Sequence, residues 1–286
     1  MKPKQLKQLK KRLKKTTAKK AVPYIAQMTK YRALFKDDPQ VLVLINNVLE
    51  ADRLLAAGLA PQPLPVLQVP DDFQDQLMTR INATYAPHDP AGDAEWDRLS
   101  AALPKVDQLL RDFRDYIEDQ YGMWAYINAP FLKDLAEFVG DRPVLEVMAG
   151  NGYISKGLQN LNPQQRIITT DSKAWTKEAD NQTGKHPVTT IEGLDAVNAF
   201  EKYAGDIDYV IMSWSPDKLT IDWDLLQAIR ASDHQVPLIC IGEQYGATGS
   251  KQFWDQAIYQ DGAAVDKLNA HYRPFDLIHD QVYVVR

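Results

Sequence analysis

Residues 143–155, Pro-Val-Leu-Glu-Val-Met-Ala-Gly-Asn-Gly-Tyr-Ile-Ser, limit what this chain can fold into more than any other stretch. Val144, Leu145 and Val147 make a short apolar run around Glu146. Gly150 and Gly152 follow, and then Tyr153, Ile154 and Leu158 fall at helical spacing. A buried strand that leaves through a glycine turn into a helix is the first half of a βαβ unit, which requires a parallel sheet. The glycines also let the backbone approach a ligand at the carboxyl end of the strand.

The chain beyond this stretch keeps the same rhythm. Runs of β-forming residues at 166–170, 188–191, 207–212, 238–241 and 282–285 alternate with helical patterns. Such alternation predicts parallel strands joined by helical crossovers. The last run closely follows residues 275–278, with His279-Asp280 between them, a spacing that predicts an antiparallel hairpin. The expected fold is therefore α/β, a mainly parallel sheet with a closing antiparallel strand.

Before residue 140 the texture is helical. Asp38-Pro39 predicts a helix start, Leu42, Ile45, Leu49 and Leu54 form an apolar stripe, and Gly58 supplies a stop. Residues 60–70 hold four prolines and read as an extended connector. Helical patterns resume at about 72–83 and 104–120, around a polar loop near 87–93. The expected organisation is a basic tail over 1–20, a helical domain over 21–140 and a ligand-binding α/β domain over 141–286.

Charge separates the tail from the body. Residues 1–20 carry ten Lys or Arg and no acid, which leaves 33 - 10 = 23 basic against 38 acidic residues in the remainder. Leu6, Leu9 and Leu13 lie among those lysines at helical spacing. The segment reads either as a flexible solubilising arm or as a contact for nucleic acid, the ribosome or an anionic lipid surface. No apolar run approaches the roughly 18 residues of a membrane span. The single cysteine, Cys240, excludes an internal disulfide framework and a multi-cysteine zinc site. The five histidines show no metal-ligand spacing, so no metal site is expected. A cytoplasmic setting is the corresponding expectation.

In open α/β sheets, ligands bind beyond the carboxyl ends of the strands. Glu146 lies near the end of the first strand with Ala149, Gly150 and Gly152 after it, Asp171 and Ser172 lie after the second, and Asp195 and Ala196 after the third. Each acid has a plainer reading on its own: Glu146 as the partner of a lysine, Asp171 as a helix cap, Asp195 as a turn residue. Their shared position at strand ends favours a common site.

An acid four positions before Gly-x-Gly, an Asp closing the second strand and a Gly-x-Asp-Ala after the third together resemble the class I, Rossmann-like S-adenosylmethionine-dependent methyltransferases. The resemblance covers about residues 120–286. It implies S-adenosyl-L-methionine as cofactor, with Glu146, Ala149, Gly150 and Gly152 beside its methionyl end, Asp171 on the ribose, and Asp195 with Ala196 on the adenine. Two features depart from the family pattern. Met148 stands where a third glycine is usual, and Leu194 separates a Gly and Asp that are normally adjacent. The alternative cofactor is NAD, but its Gly-x-Gly-x-x-Gly fingerprint would put glycine where Ser155 stands, and Glu146 suits a cationic amino group better than a pyrophosphate.

Methyl transfer depends on positioning and desolvation more than on acid–base groups. The resemblance places the substrate side after the fourth predicted strand, at Ser213, Trp214, Ser215 and Pro216, which match the Asn/Asp/Ser-Pro-Pro-aromatic loop of amino-methylating members only in part. These four are the expected catalytic residues, with Ser213 also on the cofactor. Tyr121, Trp124 and Tyr126 before the first strand, and Glu243 and Tyr245 after the fifth, are the expected cleft residues. A non-catalytic module of the same fold, binding nucleic acid or a protein, is the alternative function.

Overall fold

The computed structural model describes residues 23–177 and 183–286. The basic segment 1–20 therefore lies outside the described residues. The chain begins with helices α1 (Tyr24–Leu34), α2 (Pro39–Ala56), α3 (Phe73–Thr84), α4 (Pro90–Ser100), α5 (Leu103–Arg111), α6 (Phe113–Tyr121) and α7 (Ala129–Val139).

Local chemistry explains these boundaries. Pro39 occupies the first turn of α2, where its missing N–H costs nothing. Asp38 does not cap that helix with its side chain; it is buried and pairs with Arg80 at 3.0 Å. Gly58 ends α2 with φ 71°, while Gly58 N–H donates to Leu55 O and Leu59 N–H donates to Leu54 O. This pair of bonds is a Schellman closure, which needs a left-handed residue. The polar stretch 87–93, expected as a loop, contains the start of α4. The Asp89 carboxylate accepts from Ala91 N–H at 2.9 Å, and Pro90 sits at the first position.

The sheet comprises β1 (Val144–Val147), β2 (Ile167–Thr169), β3 (Tyr209–Ser213), β4 (Leu238–Gly242) and β5 (Gln281–Val285), in the order β2-β1-β3-β4-β5. The first four run parallel, and β5 runs antiparallel to β4. Helices α8 (Tyr153–Leu161), α9 (Ala196–Tyr203), α10 (Ile221–Ala231), α11 (Lys251–Gln256) and α12 (Ala263–His271) supply the rest of the packing. The chain steps outward from β1 to β2 and then returns to place β3 on the other side of β1. That reversal opens a crevice at the carboxyl ends of β1 and β3.

Alternation along the strands divides the core in two. Val144, Ile211, Ile239, Ile241, Val282 and Val284 pack on the face that carries α8, α12 and the helices of the first 140 residues. Leu145, Val147, Val210, Met212, Leu238 and Cys240 pack on the opposite face against α9, α10 and α11. Both faces are covered, so the strands read as continuous apolar runs. Each fully buried Leu or Ile contributes roughly 1.5–3 kcal/mol of transfer free energy.

Two expectations are corrected. Residues 188–191 form no strand: among the described residues, the outer side of β2 meets this segment at an isolated parallel bridge, Thr170 to Glu192. The Val188 N–H donates to Asn151 O and is thereby diverted from a ladder. Residues 275–278 form no hairpin with β5. Asp276 is drawn into a pair with Arg114, Ile278 N–H closes a turn on the Asp276 carboxylate, and β5 pairs with β4 instead.

Candidate functional site

A cavity of about 420 Å³ opens at the crevice where β1 and β3 part. Its lining includes Glu146 in β1 with Ala149 and Gly150 after it, Asp171 and Ser172 after β2, Asp195 and Ala196 at the start of α9, and Ser213 at the end of β3 with Trp214 and Pro216 beyond it. Trp124 reaches it from the connection between α6 and α7. Its volume lies in the range of small-molecule sites, about 300–1,000 Å³.

The strand exits are sharply bent. Among the described residues five non-glycine positions have positive φ, and four of them follow the parallel strands: Met148 (50°), Lys173 (57°), Trp214 (54°) and Tyr245 (58°). A side chain in this region costs of order 1–3 kcal/mol, a cost that structures tolerate mainly at functional rims. Met148 thus adopts the left-handed turn that a glycine would accept freely, and its side chain lines the cavity.

Glu146 is nearly fully buried. Its Oε2 accepts from Ser155 N–H at 2.8 Å and from the Ser155 hydroxyl. Burial pushes its pKa up to about 7, against the opposing pull of those hydrogen bonds. A cation in the cavity would reverse that shift by favouring the carboxylate.

Asp171 is held by the turn it faces. Its Oδ2 accepts from Gly150 N–H at 2.9 Å, and its Oδ1 accepts from Lys173 N–H at 2.5 Å and Trp175 Nε1–H at 3.2 Å. A carboxylate has about four acceptor positions, so among the described residues one remains for a ligand hydroxyl. Asp195 caps α9, accepting from Asn198 N–H at 3.0 Å and Asn198 Nδ2 at 2.5 Å. Those bonds, the backbone one first, keep its pKa below the ordinary value.

The two glycines differ. A Cβ on Gly150 would meet nothing within 4 Å, so the backbone there is open to a ligand. A Cβ on Gly152 would lie 2.6 Å from Thr189 Cγ2, and Gly152 does not line the cavity. Gly152 serves packing. Asn151 between them ties the turn down: its Nδ2 donates to Tyr121 O and Gly184 O, each at 2.8 Å.

Trp214 donates its indole N–H to Asp280 Oδ2 at 2.9 Å, and the Tyr272 hydroxyl donates to the same oxygen at 2.6 Å. Arg114 covers the Trp214 ring at 4.7 Å, pairs with Asp276 at 2.5 Å, and donates to Trp124 O at 2.8 Å. One buried guanidinium therefore contacts two of the three tryptophans that line the cavity, Trp124 and Trp214. Burial raises the Asp280 pKa, while Arg114 and the two hydrogen bonds act to lower it.

Several expected cleft residues do not meet the cavity. The Tyr121 hydroxyl donates to Asp52 Oδ1 at 2.6 Å, and the buried Tyr126 donates to Gln62 O at 2.7 Å. Glu243 accepts from Ala247 and His279 N–H groups, and Tyr245 is exposed. Ser215 is buried with a hydroxyl that has no hydrogen-bond partner among the described residues, and its carbonyl accepts from Gly249 N–H at 2.7 Å. Sequence reasoning missed Trp175, Met123 and Arg114. Only the aromatic content of residues 121–126 pointed toward that wall. Among the described residues, no cluster of His, Cys, Asp or Glu is arranged to hold a metal, and no helix is long and apolar enough to cross a membrane.

No protein-family model matches the chain. No curated protein matches it either. Among solved structures, a mutant form of MtNAS aligns at 11% identity with a TM-score of 0.36, over 75% of this chain and 96% of its own. The precorrin-6y C5,15-methyltransferase of Geobacter metallireducens GS-15 aligns at 13% identity and 0.35, over 60% and 94%. The plantazolicin methyltransferase BpumL aligns at 8% and 0.35, over 75% and 98%. Likenesses this weak carry no argument about the chain, whose fold rests on its own strand order and register.

Proposed function

We propose that the chain is an S-adenosylmethionine-dependent methyltransferase of the class I type, with residues 141–286 as the cofactor-binding part and 21–140 as a helical part that helps shape the cleft. The observation that carries this reading is the convergence on one cavity of Glu146 from β1, Asp171 from the exit of β2 and Asp195 from the cap of α9, beside the open backbone of Gly150. This donor set fits the cofactor: a buried carboxylate for a cationic end, one free acceptor position for a ribose hydroxyl, and a cap residue beside Ala196 at the adenine. When bound, S-adenosylmethionine supplies a methyl carbon to an acceptor lone pair, the carbon–sulfur electron pair staying on sulfur and any proton on the acceptor passing to solvent.

The protein's own part is positioning. Glu146 and the open backbone at Gly150 hold the charged methionyl end, Asp171 holds the sugar, and Ser213, Trp214 and Pro216 shape the acceptor side while excluding water. Calorimetric titration with S-adenosylmethionine, S-adenosylhomocysteine and NAD tests the reading. Binding of the first two and not the third supports it; NAD alone binding overturns it.

A second reading, a module of this fold that binds without catalysis, draws on the inward-turned Ser215, which leaves Ser213 as the polar side chain of that loop at the cavity. Cofactor binding without turnover of any acceptor would favour it. The ten basic residues of 1–20 would add a salt-sensitive attachment to polyanions. The expected setting is a reducing, cytoplasmic one, in which the buried Cys240, its pKa raised by desolvation, stays inert.

A further inference from the structure

The acceptor side of the cavity differs in chemistry from the cofactor side. Its walls are Met123, Trp124, Trp214, Pro216 and Leu219, with Ser213 as the polar side chain from the β3 exit. The Trp124 and Trp214 rings meet at 6.2 Å and 49°, forming an angled aromatic corner. Trp124 and Leu219 remain substantially exposed, at 38% and 56%.

Among the described residues, no lysine, arginine or histidine lines the cavity. The nearby cation, Arg114, lies behind the Trp214 ring and is already paired with Asp276 and bonded to Trp124 O. Three carboxylates share the same space. A phosphate or carboxylate on the acceptor would be desolvated there without a partner and repelled by those acids. A neutral ring loses little on leaving water and gains contact with two indoles.

We propose that this corner takes the methyl acceptor as an uncharged planar aromatic ring, presenting a hydroxyl or amino group toward Ser213. The proposal rests on the methyltransferase reading above. It separates the acceptor from the polyanions that the basic segment would attract.

The test uses the full chain, first titrated with S-adenosylhomocysteine and then, loaded with it, titrated with 1-naphthol and 1-naphthyl phosphate, two probes that differ by one charged group. We expect 1-naphthol to bind about tenfold tighter or better. Trp124→Ala and Trp214→Ala should each weaken 1-naphthol about tenfold, while Trp214→Phe retains it and S-adenosylhomocysteine affinity changes by less than about threefold. Equal or stronger binding of the phosphate ester, no binding of 1-naphthol to the loaded protein, or 1-naphthol binding unchanged in Trp124→Ala and Trp214→Ala overturns this proposal alone. No binding of S-adenosylhomocysteine removes the underlying reading, and this proposal with it.

Discussion

The Arg114 guanidinium lies 4.7 Å from the centre of the Trp214 indole, although the two residues are far apart along the chain. Arg114 comes from α6 and Trp214 from the exit of β3. The stacked pair, closed by Asp276 and Asp280, joins the helical half of the molecule to the cavity wall.

Removing that cation should be costly because two acids stay behind. We expect Arg114→Met, which keeps an apolar stem under the ring, to lower unfolding free energy by about 3–5 kcal/mol, the usual cost of orphaning a buried charge. Adding Asp276→Leu should recover part of the loss, since an apolar replacement leaves nothing unpaired there. Urea unfolding of the single and double variants measures both. A single-variant cost under about 1 kcal/mol would contradict the assigned role.

Glu146 gives the protein a specific pH response. Its folded pKa of about 7 stands above the ordinary 4.5, so between those values the folded chain holds a proton that the unfolded chain has lost. Stability attributable to this group therefore falls as pH rises from about 4.5 to about 7, then stays at the lower level. Glu146→Gln should remove that fall, visible as a flatter unfolding midpoint between about pH 4.5 and 7.5. Binding of a cationic ligand favours the carboxylate, so affinity should rise across the same window with proton release, read by calorimetry in buffers of different ionisation enthalpy.

The two glycines of the turn should separate binding from stability. In Gly150→Ala the methyl meets no atom within 4 Å, so the expected stability cost is limited to the left-handed backbone, roughly 1–2 kcal/mol. Its methyl should nevertheless obstruct the ligand and weaken S-adenosylhomocysteine about tenfold or more. Gly152→Ala collides with Thr189 at 2.6 Å and should lose more stability than Gly150→Ala. Thermal unfolding paired with calorimetry distinguishes them, and the reverse ranking in stability would refute the assignment.

Asp171 holds the turn and, on the proposed reading, the ribose. Asp171→Ala should weaken cofactor binding by about 1–3 kcal/mol, the scale of a hydrogen bond to a charged group. It also leaves Gly150 N–H and Trp175 Nε1–H without their acceptor, so a fall in melting temperature should accompany it. Unchanged affinity in the folded variant would eliminate the ribose role.

Much of the fold was legible along the chain because strand-end glycines and buried apolar runs act locally. The β1 turn and the parallel alternation needed no long-range information, whereas the last strand takes its antiparallel partner from β4 and not from residues 275–278. The short edge failed for a local reason of another kind. Residues 188–191 have strand-like composition, yet the Val188 N–H is taken by the Asn151 carbonyl, a contact that no pattern of residue types announces. The polar run before α4 was misleading because Asp and Pro start helices as readily as they make turns.

Residue order alone determined the α/β class, the place of Glu146 near the end of β1, and the positions of Gly150 and Asp171 beyond consecutive strands, since the period of a strand and the conformational freedom of glycine are properties of the chain itself. Only the tertiary structure decided which aromatics face the cavity. Trp124 and Trp214 line it while Tyr121 and Tyr126 turn away to Asp52 and Gln62. The physical reason is that a buried tyrosine hydroxyl goes where an acceptor exists. Those acceptors lie 69 and 64 residues away in sequence, brought close only by packing of the helices.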